Sequence, residues 1–185
     1  MKKIDMTNVQ EAGEFKRPGA GAYICGIVKA EDVADKEYLK ITYDIIEGEF
    51  KGYYKEMRAN NPEWEWAGAY VKSYKEKALP MFKRFCTAVS RSNGKFVFDG
   101  GNTNHDEKTL KGKKIGLLLG EEEYTGNDGS IKTRLYVVRE FSIDKLADQK
   151  VPELKKLKEE SSTKNATSKE DWMDVEDNGE EVPFD

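Results

Sequence analysis

Hydrophobic and polar residues alternate at period two in four stretches of the chain, and recur at helical spacing in one. In residues 22–30 (AYICGIVKA), Tyr23, Cys25 and Ile27 share one face and Ile24 and Val28 the other, which predicts a strand. Gly26 in its middle invites a bend or bulge. Residues 31–37 read as a charged loop. Residues 38–46 (YLKITYDII) place Leu39, Ile41, Tyr43 and Ile45 on an apolar face, with Tyr38, Lys40, Thr42 and Asp44 opposite. Glu47-Gly48-Glu49 fits a hairpin turn, from which residues 50–57 (FKGYYKEM) return as a third strand. Residues 114–121 put Ile115, Leu117 and Leu119 on one face. After the turn signal Gly126-Asn127-Asp128-Gly129, residues 130–141 place Lys132, Arg134 and Tyr136 opposite Thr133, Leu135 and Val137.

The helical spacing falls on residues 79–92. Phe82, Phe85, Cys86 and Val89 stand at i, i+3, i+4 and i+7, with Lys83, Arg84 and Arg91 on the flanks. Pro80 suits the first turn, and Asn93-Gly94 stops the helix. Residues 64–77 are compatible with an earlier helix, and residues 145–158 with a short charged one interrupted at Pro152. Three strands, a helix and two strands is the order of an OB-fold, so the expected class is mainly β: a five-stranded Greek-key barrel with a helix between strands three and four. The expected organisation is an N-terminal arm over residues 1–17, the barrel over 18–145, a charged helix or extension over 146–158 and an acidic tail over 159–185.

Charge sharpens this division. The net charge of −4 hides an asymmetry: residues 159–185 carry ten acidic residues and two lysines, a net of −8, while residues 1–158 carry +4. A mildly basic body can meet phosphate where the tail cannot. No apolar run approaches the roughly 18 residues of a membrane span, and the start of the chain lacks a signal-peptide core, so a soluble, cytoplasmic protein is expected. Cys25 and Cys86 are too few for a zinc site or disulfide framework, and the single histidine, His105, has no supporting motif for a metal centre or catalytic triad. Gly112-Lys113-Lys114 lacks the remaining elements of a phosphate loop. Glu121-Glu122-Glu123 reads as a solvated run and Asn127-Asp128-Gly129 as turn chemistry. No cofactor is expected.

A single-strand-binding barrel needs cations for phosphates and flat side chains for bases across its second and third strands and nearby loops. Tyr38 and Lys40 on the second strand supply such groups. The third supplies Lys51, Tyr53 or Tyr54, Lys55 and, just beyond, Arg58; the fifth supplies Lys132, Arg134 and Tyr136. Trp64, Trp66 and Tyr70 are three aromatics within seven residues, suited to core packing or to a stacking platform.

The chain ends Gly179-Glu180-Glu181-Val182-Pro183-Phe184-Asp185. An acidic run closing on an apolar-Pro-Phe tip, behind a body with this strand order, resembles phage-encoded single-stranded DNA-binding proteins of the OB-fold type. The likeness of fold rests on residues 18–57 and 110–141. The resemblance implies that the barrel coats single-stranded DNA during phage replication or recombination. It also implies that the tail, Val182 included, recruits replication or recombination proteins, with Pro183 and Phe184 filling an apolar pocket and Glu180 and Glu181 meeting its basic rim. The family pattern usually ends on Phe; here Asp185 follows, and its carboxylates would stand in for the terminal one. Trp172-Met173 is a candidate second anchor. The charge split also suggests that the tail lies in the basic groove when DNA is absent. Oligomeric state is open, a homo-oligomer included. The alternatives are a non-enzymatic protein-interaction adaptor with an OB-like fold, and a metal-dependent nuclease, for which no spaced carboxylate motif is present.

Overall fold

The computed structural model describes residues 16–101 and 106–157, together with Lys2, Lys3, Asp5 and Thr7. Five antiparallel strands form one sheet in the order β3-β2-β1-β4-β5: β1 (Gly21–Val33), β2 (Tyr38–Ile45), β3 (Ala69–Ser73), β4 (Lys114–Thr125) and β5 (Ile131–Phe141). Helix α1 (Tyr53–Asn60) separates β2 from β3, and α2 (Leu79–Ser92) separates β3 from β4.

The alternation read from the sequence sets the core. Cys25, Ile27, Leu39, Ile41, Tyr43, Ile45, Ile115, Leu117 and Leu119 are buried from the sheet's inner face, and Phe85, Cys86 and Val89 come from α2. Each large apolar side chain taken from water this way stabilises the fold by about 1.5–3 kcal/mol. Both cysteines are reduced and buried. The irregularity in β1 falls between Ile27 and Lys29 rather than at Gly26. That one-residue slip moves the inward position to Ala30 and lets the strand continue through residues expected to be loop. Helix α2 is held to the sheet at its C-terminus. The Asn93 amide donates to the carbonyls of Val89 and Lys114, both at 2.7 Å, and its Oδ1 accepts from Lys114 N–H at 2.9 Å.

Three expected elements differ. The third strand is not residues 50–57, which make the turn into α1. Gly48 and Gly52 take φ of 86° and 79°, conformations open to glycine, and turn the chain out of the sheet. The Asp44 carboxylate then accepts from Tyr54 N–H at 3.0 Å and from Ile45 N–H at 2.9 Å, satisfying a donor of the helix's first turn. Residues 64–77 are not the expected helix, apart from a single 3-10 turn (Glu76–Ala78) at their end. They form a loop and β3, because Trp66 Nε1–H donates to the Tyr43 carbonyl at 2.8 Å and Gly68 lies against β2. Residues 145–157 do not form the expected α-helix either, and Lys158 lies outside the described residues. A 3-10 segment (Ile143–Asp148) packs against β1, β4 and α2, and the chain then extends until Lys155 bridges in parallel to Glu122.

The sheet is not closed by a backbone ladder: β3 and β5 are its two edges. Side chains join them. Lys72 Nζ on β3 lies 2.9 Å from Glu140 Oε2 on β5, with the two side chains 12% and 2% exposed. Arg84 of α2 approaches the same carboxylate at 3.9 Å. Tyr70 of β3 is half-buried beside this pair, with its hydroxyl oxygen shut off from water near the Glu140 carboxylate. Burial, reinforced by the Glu140 carboxylate, holds that phenol far above its ordinary pKa. No helix among the described residues is long and apolar enough to cross a membrane.

Candidate nucleic-acid interface

Register decides which side chains share the outer face. Across β1, β2 and β3, Val33 pairs with Tyr38 and Tyr38 with Ser73; Glu31 pairs with Lys40 and Lys40 with Val71; Lys29 pairs with Thr42 and Thr42 with Ala69. Tyr38 is therefore a half-buried ring between two small or apolar neighbours, with the exposed Lys40 and the 58% exposed Val71 one step along. Lys29 is held by Glu31 at 2.6 Å, whereas Lys40 makes no ion pair among the described residues.

At the Thr42–Ala69 end of this face stand α1 and the loop after it. Lys51, Lys55 and Arg58 are exposed there, and none makes an ion pair among the described residues. Glu56, Glu63 and Glu65 lie in the same stretch, so this surface carries cations interleaved with carboxylates, not a continuous basic stripe. Tyr54 is not available for stacking. It is 5% exposed, edge-on to Tyr43 at 5.3 Å, and burial pushes its phenol up to about 12. Tyr53 is half-buried between Phe50 and Tyr54, edge-on to both, and burial raises its pKa as well. Both face other aromatics because they open helix α1; on a strand one of them would have faced out.

The fifth-strand group stands apart. Lys132, Arg134 and Tyr136 do share a face of β5, pairing with Tyr124, Glu122 and Gly120 of β4. Their charge is already compensated: Lys132 meets Asp128 at 3.0 Å and Arg134 meets Glu122 at 2.7 Å while lying 5.3 Å from the Tyr124 ring centre. The Tyr136 ring packs over Gly120, where an added Cβ would come within 2.9 Å of it. β1 and β4 lie between β2 and β5, so the two groups are about 14 Å apart along the sheet at ~4.8 Å per strand. The structure thus brings Tyr38 and Lys40 together, with Lys55 and Arg58 beyond, and does not bring the β5 residues to them.

Of the tryptophans, Trp66 is anchored in the core margin, and Trp64, in the loop between α1 and β3, is 58% exposed. Among the described residues Trp64 is the aromatic most open to a base; the two tryptophans stand two positions apart in a loop, and nothing in their spacing marks which of them faces the core. Among the described residues, no group of three or more His, Cys, Asp and Glu is placed to hold a metal ion. The carboxylates of Glu121, Glu122 and Glu123 are engaged instead with Arg17, Arg134 and the backbone N–H of Leu157. His105 and the tail residues Trp172, Glu180, Glu181, Val182, Pro183, Phe184 and Asp185 lie outside the described residues.

No protein-family model matches the chain, and no curated protein matches it in sequence.

Proposed function

We propose that this chain is a non-enzymatic single-stranded DNA-binding protein whose barrel is an OB-fold opened along one seam. The observation that carries the reading is the pairing of a strand order with a face. The order β3-β2-β1-β4-β5, with a helix between β3 and β4, is that of a five-stranded Greek-key barrel cut between β3 and β5. The β1-β2-β3 face of such a barrel presents Tyr38 and Lys40, and its end adds Trp64, Lys55 and Arg58. Flat side chains among cations suit sequence-tolerant binding, in which bases stack and phosphates are neutralised. The acidic tail, by its resemblance to the tips of phage and bacterial single-strand-binding proteins, serves to recruit replication or recombination partners. The mixed charge of the face argues for moderate affinity and site occupancy driven as much by stacking as by phosphate contacts.

The experiment is titration of the full chain with oligo-dT, followed by tryptophan fluorescence, with duplex DNA as the control. Quenching by the single strand alone is expected. Trp64→Ala should weaken binding by about 1–3 kcal/mol, roughly five- to 160-fold, while Trp66→Phe should act mainly on stability. Absence of quenching by any oligonucleotide would discard this reading in favour of a protein-interaction adaptor.

A further inference from the structure

Strand β5 carries a bulge near its end. Leu119 pairs with Val137 and Leu118 with Arg139, which leaves Val138 without a partner on β4. The slip reverses the alternation that follows it. Glu140, which regular pairing would set on the outer face with Arg134 and Tyr136, turns inward to Lys72. Arg139, which would share the face of Leu135 and Val137, turns outward and is exposed, and its Nη2 donates to Gln149 Oε1 at 2.9 Å. It lines a cleft of about 570 Å³ between α2, the end of β5 and residues 142–149. Lys83, Arg84 and Arg91 enter this cleft from α2 and Lys145 from the 3-10 segment, so three elements bring five exposed cations together. Lys83, Thr87 and Arg91 stand at i, i+4 and i+8, a row along α2 in steps of about 6 Å.

Two carboxylates line the same cleft. Glu140 is buried and already met by Lys72 at 2.9 Å, with Arg84 at 3.9 Å; Asp148 is exposed at the margin. Asp144, beside Lys145, is held by the Ser142 hydroxyl and lies within electrostatic reach of Arg91. Lys83 and Arg139 make no ion pair among the described residues. The cleft thus keeps an excess of positive charge, whereas the cations of α1 and the β1-β2-β3 face alternate with Glu31, Glu56, Glu63 and Glu65. Phe141 is the one aromatic residue in its lining, and it is buried.

We infer that this cleft is a second nucleic-acid contact, which holds the sugar-phosphate backbone of a single strand and reads no bases. A strand carries a charge at every nucleotide, and the row along α2, continued by Arg139 and Lys145, offers it successive cations. With no open ring to stack on, the contact is made through phosphate. The cleft begins at the seam: Arg84 approaches Glu140, which is paired with Lys72 on β3, the edge strand of the candidate face. A strand leaving that face over β3 meets the cleft next. The inference rests on the reading of the chain as a single-stranded DNA-binding protein, and it extends the footprint from one side of the barrel to two.

The test is titration of the ¹⁵N-labelled full chain with oligo-dT of about 30 nucleotides, longer than the site of a single barrel. Amide signals of residues 83–91 and 139–149 should shift along with those of β2 and β3. Lys83→Ala combined with Arg91→Ala, both at exposed positions, should flatten the slope of log K against log salt by about 1.4, two phosphate contacts at ~0.7 each, with the urea midpoint unchanged. Shifts confined to β2, β3 and α1, or an unchanged slope in the double variant, overturn the inference and leave the proposed function standing. Shifts confined to the cleft, with the flattened slope, uphold the inference and remove the β1-β2-β3 face from the proposed function. No shift anywhere overturns both. Poly-glutamate that shifts the same cleft signals at equal charge overturns the inference as well, giving the cleft to an acidic protein surface.

Discussion

The Lys72–Glu140 ion pair spans the seam between β3 and β5, and it gives the sharpest test of how the sheet is held. Lys72→Met removes the cation 2.9 Å from Glu140 and leaves a carboxylate whose side chain is 2% exposed. Arg84 remains, but at 3.9 Å and with its own side chain 48% exposed, where water screens it. At an effective dielectric constant near 20, a charge pair at 2.9 Å attracts by about 6 kcal/mol before desolvation is set against it. Breaking one partner of a buried pair typically costs about 3–5 kcal/mol, and Arg84 places this case near the lower end, at about 3 kcal/mol. With a urea m-value of about 2 kcal/mol/M, the midpoint should fall by about 1.5 M. Replacing both partners, Lys72→Met with Glu140→Met, removes the stranded charge together with its counter-ion and should return stability to within about 1 kcal/mol of the native chain. Urea denaturation of the two single variants and the double variant, followed by far-UV circular dichroism, closes the cycle. A Lys72→Met loss below about 1 kcal/mol, or single losses that simply add in the double variant, would refute the claim that this pair fastens the seam.

Three further outcomes follow from the same geometry. Replacing Lys40 and Lys55 with alanine should weaken oligo-dT binding and flatten the slope of log K against log salt by about 1.4, two phosphate contacts at ~0.7 each; the same pair of changes at Lys132 and Arg134, whose charges are already met by Asp128 and Glu122, should change the slope much less. Asp44 is held above the usual carboxylate range, chiefly by burial, so the folded state binds its proton more tightly than the unfolded chain. Its contribution to stability is then full below the unfolded value of about 3.9 and lost as pH rises through the raised folded value. Asp44→Asn, which keeps an acceptor for Tyr54 N–H, should therefore gain relative to the native chain as pH rises from about 4 to neutrality; a difference constant with pH, by urea midpoints, would contradict this. Gly68→Ala would bring a Cβ to 2.5 Å from the Tyr43 carbonyl and 2.8 Å from the Tyr54 ring, and should cost about 1–3 kcal/mol in thermal or urea unfolding.

The candidate site was only partly legible, for an identifiable reason. Residues 50–57 place Phe50, Tyr53, Tyr54 and Met57 at i, i+3, i+4 and i+7, the helical spacing that marked α2 so clearly. The nearby turn signal and the aromatic content favoured a strand, and local propensity does not separate the two in so short a run. What separates them is the Asp44 carboxylate, ten residues back on β2, which meets the first turn of α1. With that element misread, Tyr54 became a stacking candidate although it belongs to the core. β3 was missed for a related reason: its five residues have β character, but the neighbour that holds them is β2, through the Gly68 carbonyl accepting from Tyr43 N–H at 2.7 Å.

By itself the chain's pattern determined β1, β2, β4, β5 and α2 and most of their inward positions, because a period of two or 3.6 residues commits a face to the core; it did not show that β4 is buried on both faces from Ile115 to Gly120, nor the slip in β1 that turns Ala30 inward. It also determined the charge division between body and tail, which is a matter of counting. Tertiary structure alone decided which cations are spent on internal carboxylates, as at Arg134 and Glu122, and which of Trp64 and Trp66 faces water. It alone decided that the seam between β3 and β5 is joined by Lys72 and Glu140, 68 residues apart. Those outcomes depend on distances between residues remote in sequence, and a linear pattern carries no measure of them.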